Sequence, residues 1–321
     1  KLVNDISLGN ITYFNRLNER SAFAASFKYF SLGEIELIQD EFSEALVTKP
    51  NELTMDVSYS LRLADQFSMG VSLRYLRSDL KISQVDDTAI AASSYAVDLS
   101  GYYQGEEQAY NDFNGRWRAG FIIQNLGPKI KYDESAVSAS FLPTMLRLGG
   151  GFDFILDSYN KVSVTAEFSK LLVPTPPLLG TFTDYNDDNG NGIFDEEEEQ
   201  VGLPYTGIIS GKPNDVDFLA GVFQSFSDAP GGFSEELREF TWSLGAEYTY
   251  EDSFALRAGF FNESEDKGAR KFLALGAGFK FSGTNIDLSY LFSASKVPSP
   301  LENTLRFSLT FNFGDNEYYE Y

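Results

Sequence analysis

The chain has 321 residues, of which 43% are apolar and 15% aromatic, with 27 glycines spread throughout and neither cysteine nor histidine. Those two absences exclude disulfides, thiol nucleophiles, histidine-based triads and most transition-metal sites. The 47 acidic against 25 basic residues give a net charge of -22, which excludes a nucleic-acid binder because such proteins need a basic footprint.

Read from the N-terminus, alternation of apolar and polar residues predicts about thirteen strands. They are Asp5 to Phe14, Ser21 to Ile38, Glu52 to Leu63, Phe67 to Leu80, Ser93 to Gln104, Arg116 to Leu126 and Met145 to Leu156. Lys161 to Leu171, Glu239 to Tyr250, Phe254 to Asn262, Lys271 to Phe281, Asn285 to Ser293 and Asn303 to Phe313 complete the set. The period is strict in "NTLRFSLTFNF", where Leu305, Phe307, Leu309, Phe311 and Phe313 share one face against Thr304, Arg306, Ser308, Thr310 and Asn312. No long amphipathic helix is predicted. No run of 18 apolar residues exists, so a helical membrane span is excluded. The chain begins at Lys1 without a visible signal peptide, so upstream residues are expected to have been processed away or to be missing.

The connections alternate. Those near Arg16, Asp65, Ser158, Asp252 and Gly283 are tight, whereas Glu41 to Lys49, Lys81 to Ala92, Gly127 to Thr144, Leu172 to Arg238, Glu263 to Arg270 and Ala294 to Glu302 are longer; Gly105 to Gly115 breaks the rule. Short turns at one rim and long loops at the other are the pattern of an outer-membrane barrel. A soluble β-sandwich would use strands of roughly five or six residues, and its core would not tolerate the charges on the faces opposite the apolar ones. Those faces carry Asp56, Arg62, Arg74, Arg118, Asp153, Glu167, Glu247, Arg257, Asp287 and Arg306, which suit a hydrated lumen. The expected fold is therefore all-β, a transmembrane antiparallel β-barrel over residues 1–313. Even strand numbers and periplasmic termini imply fourteen strands, one of them upstream of Lys1. They also imply an extracellular insertion at 172–238, a periplasmic tail at 314–321 and a bacterial outer-membrane location. Tyr13, Tyr29, Tyr59, Tyr75, Trp117, Trp242, Tyr248, Tyr250 and Tyr290 are expected to form girdles at the lipid headgroups. Without histidine, acids such as Glu167 and Glu247 read as members of a charge network and not as catalysts, so no enzymatic activity is expected.

Gly120 to Tyr132, "GFIIQNLGPKIKY", Leu142 onward, "LPTMLRLGGGFDF", and "LLVPTPPLL" from Leu171 resemble the PorV branch of the FadL-type barrels. That resemblance implies a fourteen-stranded FadL-like barrel of the type IX secretion system. It would bind the C-terminal domains of secreted cargo, dock beside the translocon barrel SprA (Sov) and pass cargo to a cell-surface attachment complex. The alternative within the same group is a passive channel for hydrophobic small molecules. Membrane lipids or lipopolysaccharide are expected to surround it. Cargo- and translocon-binding residues are expected in the extracellular loops without being individually identifiable.

One segment carries metal-ligand spacing. "DDNGNGIFDEEE" places Asp187, Asn189, Asn191, the carbonyl of Ile193, Asp195 and Glu198 at the donor positions of a twelve-residue calcium loop, with Gly192 at its turn. Prolines and glycines on both sides argue against EF-hand helices, so the expectation is structural Ca2+ clamping an external loop and not a sensor.

Overall fold

The computed structural model describes residues 6–37, 46–80, 89–133, 139–183, 204–295 and 303–313. In chain order the strands are β1 (Ser7–Asn18), β2 (Ser21–Ser31), β3 (Ile35–Leu37), β4 (Leu46–Thr48), β5 (Asn51–Ala64), β6 (Phe67–Asp79), β7 (Ala92–Gln104), β8 (Gln108–Ala109) and β9 (Asn114–Leu126). They continue with β10 (Met145–Ile155), β11 (Asn160–Leu171), β12 (Leu178–Phe182), β13 (Tyr205–Ser210), β14 (Phe240–Tyr250), β15 (Phe254–Asn262), β16 (Lys271–Phe281), β17 (Thr284–Ser293) and β18 (Thr304–Phe311). Two short helices, α1 (Phe218–Gln224) and α2 (Phe233–Arg238), separate β13 from β14. Among the described residues no helix is long and apolar enough to cross a membrane.

One antiparallel sheet holds fourteen strands: a path β1-β2-β5-β6-β7-β9-β10-β11-β14-β15-β16-β17-β18, plus the two-residue β8 paired with β9. The end strands β1 and β18 share no ladder, yet both line one cavity of about 1060 Å³, so the sheet curls until its edges face each other. Consecutive strands pair in register, as in Asp56 opposite Arg74 and Glu247 opposite Arg257. Side-chain direction has period two, so this register puts the charged set on one wall and the apolar set on the other.

Tight turns end one rim. Before β15, Glu251 and Asp252 (both φ 48°) are the central pair of a turn that the Ser253 amide closes on the Tyr250 carbonyl, and Ser282 (φ 45°) with Gly283 (φ 80°) forms a two-residue turn before β17, left-handed pairs that match strand twist. Before β11 the Asp157 carboxylate closes the turn by accepting from the amides of Tyr159 and Asn160 at 2.7 and 2.8 Å.

Two expectations need correction. The first strand runs on to Asn18, past the turn read near Arg16. Arg16 donates to the carbonyls of Asn18 and Glu19, and the Asn18 side chain accepts from the Arg20 amide, so the polar residues stabilise the turn from within the strand end. The second strand stops at Ser31 and not at Ile38, because Gly33 takes φ 78° and sends the chain into a separate β3–β4 ladder. The connection before β9 that breaks the turn rule carries structure of its own. β8 pairs there, and a turn closed by the Tyr110 amide on the Phe113 carbonyl sets two rings side by side.

The chain divides into two compact units, Lys1–Leu171 with Glu239–Tyr321, and Leu172–Arg238. The second is built on the β12–β13 hairpin and has its own polar centre. The Asp228 carboxylate accepts from the Thr175 amide at 3.1 Å, the buried Glu236 carboxylate accepts from the amides of Asp228 and Ala229 at 2.7 and 2.9 Å, and the Ser210 hydroxyl donates to the Pro230 carbonyl at 2.7 Å.

Candidate functional site

The inner wall carries three arginine-centred clusters. In the first, Arg74 on β6 donates to Asp56 on β5, to Asp98 on β7 (3.0 Å) and to the side-chain oxygen of Asn125 on β9. Asn125 reaches it because the β7–β9 ladder shifts register and Asn125 itself turns to φ 58°, which lets its amide donate to Asp98 at 2.8 Å. In the second, Asp153 on β10 is held by Arg116 (3.4 Å) and Arg118 (2.7 Å) on β9 and by the Ser163 hydroxyl (2.7 Å) on β11. Gly151 makes room for this: an added Cβ would stand 2.9 Å from the Val164 carbonyl and 3.5 Å from the Arg118 guanidinium. In the third, Arg257 on β15 bridges Glu247 on β14 and Asp287 on β17, passing across β16 where Gly276 and Gly278 present no side chain.

Of the ten charges read from the sequence, seven fall into these clusters, and Arg147 with Glu167 makes a looser pair at 3.8 Å. Neither Arg62 nor Arg306 has a carboxylate partner among the described residues. Sequence reasoning missed Asp98, Arg116 and Asn125. The "QNLGP" stretch held the available signal, an Asn ahead of Gly-Pro where a left-handed residue is common.

The connection from β9 to β10 folds against the inner wall. Ile130 and Leu142 join Ala92 and Ala96 in a buried cluster, flanked by Leu76 and Tyr132. Ala92, Ala96 and Leu76 share the face of Asp98 and Arg74, so this cluster covers the lumen side of β6 and β7 beside the first arginine cluster. Backbone bonds fix it, Ile130 with Ser140 in both directions at 2.8 Å and the Ile90 amide with the Tyr132 carbonyl at 3.0 Å. Gly127 is obligatory, because a Cβ there would overlap the Tyr95 carbonyl.

At the long-loop rim Glu239 receives the ammonium groups of Lys170, whose side chain is fully buried, and Lys267, tying β11 and the β15–β16 connection to the start of β14. In that connection the Glu263 carboxylate takes both arms of Arg270 (2.6 and 2.7 Å), and this bonding holds the guanidinium above its ordinary pKa.

The register places all nine aromatics expected in girdles on the outward face. Trp117 stands edge-on to Phe152 (4.7 Å), Trp242 beside Phe260 (5.6 Å) and Tyr290 beside Phe292 (4.6 Å). The calcium-loop residues Asp187, Asn189, Asn191, Ile193, Asp195 and Glu198, which lie between β12 and β13 in sequence, and the tail at 314–321 fall outside the described residues. Among the described residues no acidic group is arranged to hold a metal ion.

Comparison with curated proteins finds no match. Solved structures similar in fold include the Pseudomonas putida toluene transporter TodX, 11% identical, with 88% of this chain and 76% of that one covered at a TM-score of 0.43. The CymD monoaromatic hydrocarbon channel is 12% identical over 97% of this chain and 86% of its own, TM-score 0.44. A Pseudomonas aeruginosa FadL homologue is 13% identical over 94% and 74%, TM-score 0.37. Likenesses this distant say nothing of what this chain carries. The family model for "Type IX secretion system protein PorV" matches residues 1–178, over half of the chain, and with the outward apolar wall it assigns the barrel to the bacterial outer membrane. The chain belongs to the PorV family of type IX secretion system proteins.

Proposed function

We propose that this barrel is a non-catalytic carrier that binds the C-terminal sorting domain of secreted cargo beside the SprA (Sov) translocon and hands it to the attachment complex. The family match supports this reading most directly. Two features of the chain agree with a docking role in preference to a conduit. The long connections alternate in sequence with the tight turns, and the one between β11 and β14 forms a unit with its own buried centre. The β9–β10 connection covers part of the lumen wall with an apolar cluster above a buried ion network. Binding residues concentrate in loops held by a rigid scaffold, so the long-loop rim is taken as extracellular and as the cargo-facing surface.

Affinity purification of the tagged chain from its native membrane tests this. Recovery of cargo sorting domains or the translocon barrel supports the carrier. Recovery of neither, together with bound hydrophobic small molecules in the lumen, replaces it with the channel reading. Within the same proposal, Ca2+ held by Asp187, Asn189, Asn191, Ile193, Asp195 and Glu198 clamps the β12–β13 connection, with a dissociation constant on the order of 10⁻⁴ to 10⁻³ M. Chelation should then speed proteolysis between β12 and β13, and unchanged cleavage would reject the clamp.

A further inference from the structure

The outward wall across β9, β10 and β11 is notched. Pairing aligns Ala119, Gly150 and Ala166 in one row, between a bulky row of Trp117, Phe152 and Val164 nearer the tight-turn rim and another of Phe121, Leu148 and Phe168. The result is an apolar groove of about 850 Å³ running toward Leu244 on β14. Nothing inside the barrel requires a glycine at its floor. An ideal Cβ on Gly150 would meet only the Arg118 carbonyl, at 3.9 Å, and glycine within a strand is less stable than alanine because it loses more backbone freedom on folding. The empty space therefore opens to the outside of the wall.

Toward the tight-turn rim the groove passes under the rings of Tyr110 and Phe113, which stack at 5.0 Å and lean on Phe152 and Phe154 at 5.9 and 5.3 Å. On the far side of those same two rings lies a polar recess of about 490 Å³ that includes Glu107, Asp112 and Asp157 and no lysine or arginine. Glu107 accepts from the Asn114 side chain at 2.6 Å and Asp157 closes its turn, while Asp112 has no partner among the described residues. An apolar channel at membrane depth that shares the rings of Tyr110 and Phe113 with an anionic, cation-free recess at the rim is the shape and charge of an amphiphile with an acyl chain and a positively charged head.

We propose that this groove binds one outer-membrane phospholipid whose head carries a primary ammonium, its tail lying over Gly150 and its head in the recess of Glu107, Asp112 and Asp157. An anionic headgroup would meet three carboxylates there and be rejected; a second barrel would leave the recess unfilled.

The test uses the full chain purified in mild detergent and exposed to equimolar phosphatidylethanolamine and phosphatidylglycerol, with retained lipid counted by native mass spectrometry. One tightly held phosphatidylethanolamine is expected, favoured by about fivefold for each charge discriminated near the surface. Gly150→Leu fills the notch from outside and should abolish retention while leaving the strand circular dichroism unchanged. Asp112→Lys should move the preference toward phosphatidylglycerol, a reversal that a folding defect would not produce. Equal retention of both lipids, retention unaffected by Gly150→Leu, or dimers cross-linked through a cysteine placed at Ala119 would overturn the proposal.

Discussion

Replacing Arg74 by Met removes the centre of the first cluster and keeps most of the side-chain volume. The magnitude depends on solvent access. An exposed ion pair is worth about 0–1 kcal/mol, whereas removing one partner from a buried pair costs about 3–5 kcal/mol because a charge is stranded. The side chains of Arg74, Asp56 and Asp98 are 12%, 6% and 7% exposed, which selects the second regime. Each carboxylate keeps one donor, the Ser26 hydroxyl on Asp56 at 2.9 Å and the Asn125 amide on Asp98 at 2.8 Å, so the loss should fall near the lower end, about 3 kcal/mol. The assay is denaturant unfolding in lipid or detergent followed by the fluorescence of Trp117 and Trp242, with the midpoint read at unchanged slope. Adding Asp56→Asn and Asp98→Asn removes the stranded charges and should recover most of the loss. A single variant within about 1 kcal/mol of the parent, or a triple variant no better than the single, would show the lumen to be wet enough to screen the cluster.

Gly115→Val should drive the rings of Phe152 and Tyr110 off the outer wall, since even a Cβ overlaps both; a loss of about 1–3 kcal/mol with a shift in Trp117 emission is expected, and neither change would mean that the rings are not seated there. Glu236→Ala leaves the amides of Asp228 and Ala229 unbonded and should accelerate their hydrogen exchange, at about 1–3 kcal/mol per orphaned group. The Asp157 carboxyl is held below its usual pKa, first by the Tyr159 amide and then by the Asn160 side chain. A depressed folded-state pKa stabilises the turn above the ordinary carboxylate value of roughly 3.9 and loses that contribution as pH falls through the lowered value. Exchange of the Tyr159 amide should therefore be flat from neutral pH down to about that value, after allowance for intrinsic rates, and rise below it.

The strands were legible because the barrel wall separates lipid from lumen on alternate residues, so each long segment repeats one message. The errors fall where a single backbone conformation outweighs pattern. Gly33 breaks an alternation that Ile35 and Leu37 appear in sequence to continue, and Asn18 holds a turn two residues later than composition implies. The charged lumen was readable as a set, while its pairing, Glu247 with Arg257 for one, comes from the register. Asp98 was not, since its partners arrive from β6 and from a register shift in β9. The inward fold of the β9–β10 connection is carried by Ile130 and Leu142 meeting Ala92 and Ala96, a tertiary event with no local period. The paired recess and groove depend on Tyr110 and Phe113, which lie in the connection that broke the turn rule.

The lumen clusters draw on nearest or next-nearest strands. Asp56 meets Arg74 across one hairpin, Glu247 meets Arg257 across another, and Asp153 meets Arg116 and Arg118 across the β9–β10 pair. A polypeptide delivered to the bilayer as successive hairpins would thus bring Asp56, Asp153 and Glu247 to the hydrocarbon already paired with arginine. Biogenesis then proceeds by adding hairpins whose carboxylates Asp56, Asp153 and Glu247 already lie beside an arginine, without waiting for the last strand to complete the circuit.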